Sequence, residues 1–127
     1  MDTSKVDRAK AAPNPALAQW FAGNVVFQQL VQGGGTELLA VFFETGARTR
    51  PHIHDDDQTL YFVEGQGVVA TEDEIVYANA GDFVTIAAGV WHWHGAAQNA
   101  ATVHISIKRP GPTNWEVEEK NWANGYR

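Results

Sequence analysis

"GARTRPHIHDDDQTLYFVEG", from Gly46 to Gly65, is the stretch on which the reading of this chain turns. His52 and His54 stand two residues apart, Gln58 follows, and glycines bracket the run. Successive side chains on a β-strand face opposite ways, so His52 and His54 project to one side with Cα atoms about 6.5–7 Å apart. Two imidazoles at that separation can reach one ion at ~2.0–2.2 Å. Gln58 keeps the same parity if the chain stays extended or turns once on the way. A fourth ligand has to come from an opposing strand, and "GDFVTIAAGVWHWHGA", Gly81 to Ala96, offers His92 just past the turn residues Ala87, Ala88 and Gly89. Two alternatives stay open for the oxygen position. Gln58 can act by hydrogen-bonding a ligand histidine instead, or a carboxylate from Asp55, Asp56 or Asp57 can take its place.

The whole chain has 127 residues, enough for one domain and one sizeable core. Hydrophobic residues make up 44% and charged residues 19%, which fits neither a disordered nor a membrane protein. A net charge of −6 without a basic stripe argues against a nucleic-acid partner. The acidic run Asp55–Asp57 reads as a solvated loop, or as a local negative field that draws in a cation. The absence of cysteine excludes disulfides, zinc–thiolate sites and thiol nucleophiles, and fits a reducing compartment. The first residues contain no apolar secretory core, and no stretch approaches the ~20 apolar residues of a membrane span. A soluble, cytoplasmic protein is the expectation.

Apolar and β-branched runs recur at Val25 to Val31, Leu38 to Phe43, Thr59 to Val63, Val68 to Thr71, Ile75 to Ala78, Phe83 to Ala87 and Thr102 to Ile107. Glycine-containing turns at Gly33 to Gly35, Gly46, Gly65, Gly67, Gly81, Gly89 and Gly95 separate many of them. Short strands at this spacing predict an all-β sandwich or barrel. The expected organisation is an N-terminal extension over 1–22, a barrel over 23–109 and a C-terminal arm over 110–127. The first dozen residues read as loose and polar, and "ALAQWF" as one helical turn or an edge strand. After Pro110 and Pro112, "NWEVEEKNW" reads as a short helix capped by Asn114 or as an arm anchored by Trp115 and Trp122.

The two-part spacing of Gly46, His52, His54, Gln58 and Gly65, then Gly81, Gly89 and His92, resembles the paired motifs of the cupin superfamily, from about Val25 to Ile107. The resemblance implies a double-stranded β-helix barrel resembling a jelly roll. Three departures stand out: Gln58 replaces the usual glutamate, Ala87 the usual proline and Ala96 the closing asparagine. A neutral amide at Gln58 leaves the site one unit more positive, which lowers affinity for a hard cation, raises its Lewis acidity and disfavours redox cycling. Three imidazoles and one oxygen suit Mn²⁺, Fe²⁺, Co²⁺ or Ni²⁺, and Zn²⁺ also binds such sets.

The pieces "GARTRPHIHDDDQTL", "HWHGAA" and "VHISI" are similar to small bacterial manganese cupins that act as hydroxynitrile lyases, and to cupins related to carboxymuconolactone decarboxylases. That likeness implies His52, His54, Gln58 and His92 as ligands, His104 for proton transfer with His94 as helper, and Leu39 and Val41 in the substrate pocket. Lys108 shares the His104 face and adds a positive group. Four functions compete: a manganese-dependent lyase acting on a small hydroxy or carbonyl compound, a dioxygenase, an isomerase, and a non-catalytic module that binds a small ligand or metal. Exposed edge strands favour a homodimer.

Overall fold

The computed structural model describes residues 1–31 and 34–126. The expected turn at Gly33 to Gly35 therefore lies partly outside the described residues. The described residues form eleven strands: β1 Phe21–Ala22, β2 Val25–Val31, β3 Glu37–Phe43, β4 Arg48–Thr49, β5 Ile53–His54, β6 Gln58–Thr71, β7 Ile75–Asn79, β8 Phe83–Ile86, β9 His92–Ala96, β10 Thr102–Lys108 and β11 Thr113–Asn114. Seven of them follow one hydrogen-bonded path, β1-β4-β9-β6-β10-β3-β2, while β7 and β8 also pair with β6 and β11 pairs separately with β5. The sheet curls into the wall of a barrel. No described helix is long and apolar enough to cross a membrane.

β6 organises the wall. Its first half pairs with β8 and β10, and its second half with β7 and β9. Two separate strands with turns at Gly65 and Gly67 were the expectation, but the strand runs through both. Gly65 adopts φ +74 there, and a Cβ at this position would collide with the Ala101 carbonyl. Only glycine lets the strand bend and change partners at this point without breaking. Gly95, also expected in a turn, lies inside β9, where its missing side chain admits the backbone of Ala47 and Arg48.

Alternation assigns the faces. On β3, Leu39 and Val41 line the interior cavity; on β10, His104, Ser106 and Lys108 do so. The register sets His104 opposite Val41 and Ser106 opposite Leu39. On β6, Leu60 and Phe62 are fully buried with Val69, Ala78 and Ile86, whereas Tyr61 faces out against Phe83.

Both chain ends cover the wall. The first dozen residues are docked rather than loose. Ala12 bridges to Phe27, Gln28 ties down the backbone of Lys5 and Asp7, and Val6 and Ala11 pack on Ala40, Phe42 and Val103. "ALAQWF" resolves into both expected forms, a 3₁₀ turn at Ala18–Trp20 and then β1. The C-terminal segment is an arm without the expected helix after Asn114. The Asn114 side chain accepts from the Glu116 N–H, β11 ends at Asn114, and among the described residues of the arm helical turns occur only at Trp122–Asn124. Trp91, Trp93 and Trp122 form a core beneath this arm with Val68 and Ala70, on the face away from the cavity.

Candidate metal centre

Two strands and the turn between them bring the first three residues together. His52 bridges antiparallel to His92, His54 ends β5, and the turn at 55–57 returns the chain so that Gln58 opens β6. Asp57 stabilises that turn by accepting from the Ala88 N–H at 2.8 Å, so its carboxylate serves the loop. The register of β9 on β6 places His92 beside Thr71 and His94 beside Val69. The ligand-capable nitrogens of His52, His54 and His92 lie within 4.8 Å of one another, and all three residues are buried. These three histidines could hold a metal ion.

Proton positions support the same reading. His52 Nδ1 lies 2.8 Å from the Arg50 carbonyl and His92 Nδ1 lies 2.9 Å from the Val90 carbonyl. A carbonyl oxygen only accepts, so each Nδ1 carries the proton and each Nε2 offers a lone pair. His54 Nδ1 lies 3.1 Å from the Thr113 hydroxyl, and its Nε2 is buried without a partner. Gln58 Nε2 donates to Ser106 Oγ at 2.8 Å, which turns Oε1 toward His92 Nε2 at 3.2 Å. Two acceptors thus face each other with no hydrogen between them. Neighbouring ligands on one octahedral ion are about 3 Å apart when each bond is ~2.1 Å, so this spacing fits a shared cation.

Burial sets the electrostatics. Desolvation lowers His54 to about 4, helped by the positive Lys108 and opposed by Gln58. Desolvation likewise takes His92 to about 4, against the pull of the Val90 carbonyl. His52 is held well below 6.5 by burial and then by neighbouring His92. All three are neutral at physiological pH, the state in which imidazole binds a metal.

Across the cavity, His94 Nδ1 lies 3.0 Å from His104 Nε2. Burial lowers His104 to about 3 and holds His94 well below 6.5, with His104 as its second cause. The pair is therefore neutral and shares one hydrogen bond. Phe43 and Phe62 enclose the His104 ring at 5.1 and 5.4 Å between centroids, and the Thr49 hydroxyl accepts from the His94 N–H.

His52, His54, Gln58, His94, His104 and Thr49 line a cavity of about 230 Å³ with apolar walls from Leu17, Phe21, Phe27, Leu39, Val41 and Trp115. Glu37 and Lys108 are its charged members. An apolar cavity of about 150 Å³ suffices for benzene in another protein, so this one has room for a small ring with a polar substituent. His52, His54, Gln58, His92, His94, His104, Leu39, Val41 and Lys108 fall at or beside this cavity, whereas the alternative carboxylates Asp55, Asp56 and Asp57 do not line it. Thr113, Trp115 and Ser106 belong here too, and the sequence did not single them out for it. Only the return of the C-terminal arm across β5 puts Thr113 and Trp115 in place.

Comparison with known proteins agrees with this architecture. Residues 40–108 match the model of the cupin domain. The chain belongs to the cupin family. This cupin is 37% identical over 112 residues to a protein of Granulicella tundricola named (R)-mandelonitrile lyase, covering 85% of this chain and 84% of that one. It is 34% identical over 72 residues to an acireductone dioxygenase of Sulfurihydrogenibium, covering 54% of this chain and 40% of that one. The crystal structure of a cupin-like protein from Thermotoga maritima superposes with a TM-score of 0.75 at 34% identity, over 87% of this chain and 92% of that one.

Proposed function

We propose that this cupin is a divalent-metal-dependent carbon–carbon lyase that cleaves small cyanohydrins to an aldehyde or ketone and hydrogen cyanide. The observation that carries the proposal is one cavity holding two polar groups: the nitrogens of His52, His54 and His92 beside the Gln58 oxygen, and the hydrogen-bonded pair His94–His104. The likeness to the mandelonitrile lyase over most of both chains supports it. His52, His54, His92 and Gln58 would hold the ion, with Mn²⁺ as the working metal. When bound, the ion supplies Lewis-acid stabilisation of negative charge on the substrate.

The rest of the chemistry belongs to the side chains. The substrate hydroxyl gives its proton to the neutral His94–His104 pair, the oxygen's electrons form the carbonyl, and the C–CN bond breaks with its electron pair leaving on cyanide. The same pair returns the proton to cyanide, so the step is balanced. Leu39, Val41, Phe27 and Trp115 bind the organic group and exclude water. Lys108 lies on the same face as His104 and adds positive charge near the cavity.

The test mixes Mn²⁺-loaded protein with mandelonitrile and follows benzaldehyde release. The expected result is release well above that from free Mn²⁺ at the same concentration, and equality of the two defeats the proposal. The match to the dioxygenase favours a second reading, an oxygenase using the same ligand set. Oxygen uptake by the Fe²⁺-loaded protein with an enediol substrate, without cyanohydrin cleavage, would select it.

A further inference from the structure

Two of the three histidines are oriented by their own strands, and the third is not. His52 and His92 each donate Nδ1–H to the carbonyl two residues earlier, Arg50 and Val90. For His54 the corresponding carbonyl is that of His52, which already accepts from the His92 N–H at 3.1 Å in the bridge between them. Its Nδ1 partner comes instead from the far end of the chain. β11 pairs with β5 in the register Thr113 opposite His54, and the Thr113 hydroxyl reaches Nδ1 at 3.1 Å.

The next ring of the same segment covers a second ligand. Trp115 lies 4.3 Å from the His52 ring between centroids and stacks on Trp20 at 5.6 Å with an interplanar angle of 5°. The arm that carries both residues is tied down beyond them. Trp91 Nε1 donates to the Glu118 carbonyl at 2.7 Å, Trp122 Nε1 to the Thr49 carbonyl at 2.9 Å, and the Tyr126 hydroxyl to the Ala96 carbonyl at 2.8 Å. Arg48 lies 4.1 Å from the Trp122 ring and donates to its carbonyl at 2.8 Å. The arm itself, with Thr113, Trp115, Trp122 and Tyr126, falls after residue 108, where the match to the cupin domain ends.

We infer that the segment Thr113–Trp115 is a positioning element of the metal centre, in which the Thr113 hydroxyl accepts from His54 Nδ1–H and so presents Nε2 to the ion, while Trp115 fixes the His52 ring. This rests on the metal-centre reading. The hydroxyl stands where a carbonyl stands for the other two ligands, and such outer partners typically change metal affinity 10–100-fold when removed. Without it, the neutral His54 ring is free to carry its proton on Nε2, which closes the lone pair needed for coordination.

The experiment uses the full chain with Thr113→Val, Thr113→Ala and Thr113→Ser. Co²⁺ affinity is measured by competition with a chelating dye, and the His54 tautomer by ¹⁵N–¹H NMR of the metal-free protein. Thr113→Val and Thr113→Ala should lose 10–100-fold in affinity and shift His54 toward the Nε2–H form, with metal-free melting temperatures close to that of the parent. Thr113→Ser should restore both properties. Unchanged affinity in Thr113→Val and Thr113→Ala, or an unchanged His54 tautomer, overturns the inference. Failure of the parent protein to bind Co²⁺ would instead defeat the metal-centre reading, and the metal-free NMR would still decide the tautomer.

Discussion

Acidifying the metal-free protein from neutrality to about pH 5 should strongly destabilise it, because the fold keeps five imidazoles neutral that the unfolded chain protonates. His54 and His92 are lowered to about 4 and His104 to about 3, while His52 and His94 are also held well below 6.5. Since these folded values lie below the unfolded one, the unfolded chain binds more protons as pH falls. The stability they protect is complete above about pH 6.5 and is lost on the way down. At about pH 5 an imidazole lowered to about 4 or about 3, as His92 and His104 are, costs about 2 kcal/mol. His92 and His104 together then cost about 4 kcal/mol, and His52, His54 and His94 add to this in the same direction. A domain of this size has about 5–15 kcal/mol in total, so the loss is a large share of it.

The assay is urea unfolding of chelator-treated protein followed by tryptophan fluorescence, at several pH values from about 7.5 to 5. The five tryptophans provide the signal. The urea midpoint should fall steeply below about pH 6.5, and the linkage slope should correspond to at least about two protons taken up on unfolding. Ordinary carboxylates titrate lower, near about 4, and do not mimic this window. A midpoint that stays flat down to about pH 5 would refute the claim that these histidines are buried and neutral.

Three further outcomes follow from particular contacts. His104→Asn should lower kcat for mandelonitrile cleavage about 10²–10⁴-fold while metal stoichiometry, read by elemental analysis, stays at the parent value; unchanged turnover would remove His104 from the proton pathway. Leu39→Ala widens the cavity wall and should raise the kcat/KM ratio for naphthyl over phenyl cyanohydrins by at least about tenfold; an unchanged ratio would place the substrate elsewhere. Arg48→Met removes the guanidinium that lies 4.9, 4.1 and 5.5 Å from the rings of Trp93, Trp122 and Tyr126. It should cost about 2–3 kcal/mol in urea unfolding, and a loss below about 0.5 kcal/mol would mean that the arm docks without it.

The parts of the site legible in the sequence are those set by strand parity and by spacing within one motif. His52, His54 and Gln58 lie within a few residues of each other, and alternation along β10 alone puts His104, Ser106 and Lys108 on one face. Choosing Leu39 and Val41 over the opposite parity set needed the family likeness, because alternation gives two sets and does not say which faces in. Continuity of β6 through Gly65 was not legible, since a glycine with φ +74 looks the same in sequence whether it ends a strand or bends one. The arm was hardest to read. Its glutamates and Asn114 carry the local signals of a helix start, yet pairing with β5 and burial of Trp122 outweigh that propensity. Tertiary contacts of this kind, such as Thr113 with His54 across 59 positions of sequence, leave no local pattern.

The central claim is that His52, His54, His92 and Gln58 converge on one cation. Crystals grown with excess Mn²⁺, measured at the manganese absorption edge, test it most directly. The account predicts one strong anomalous peak per chain, bonded to Nε2 of each histidine and Oε1 of Gln58 at about 2.0–2.3 Å. No peak among these four side chains, or a peak held by other residues, would contradict it.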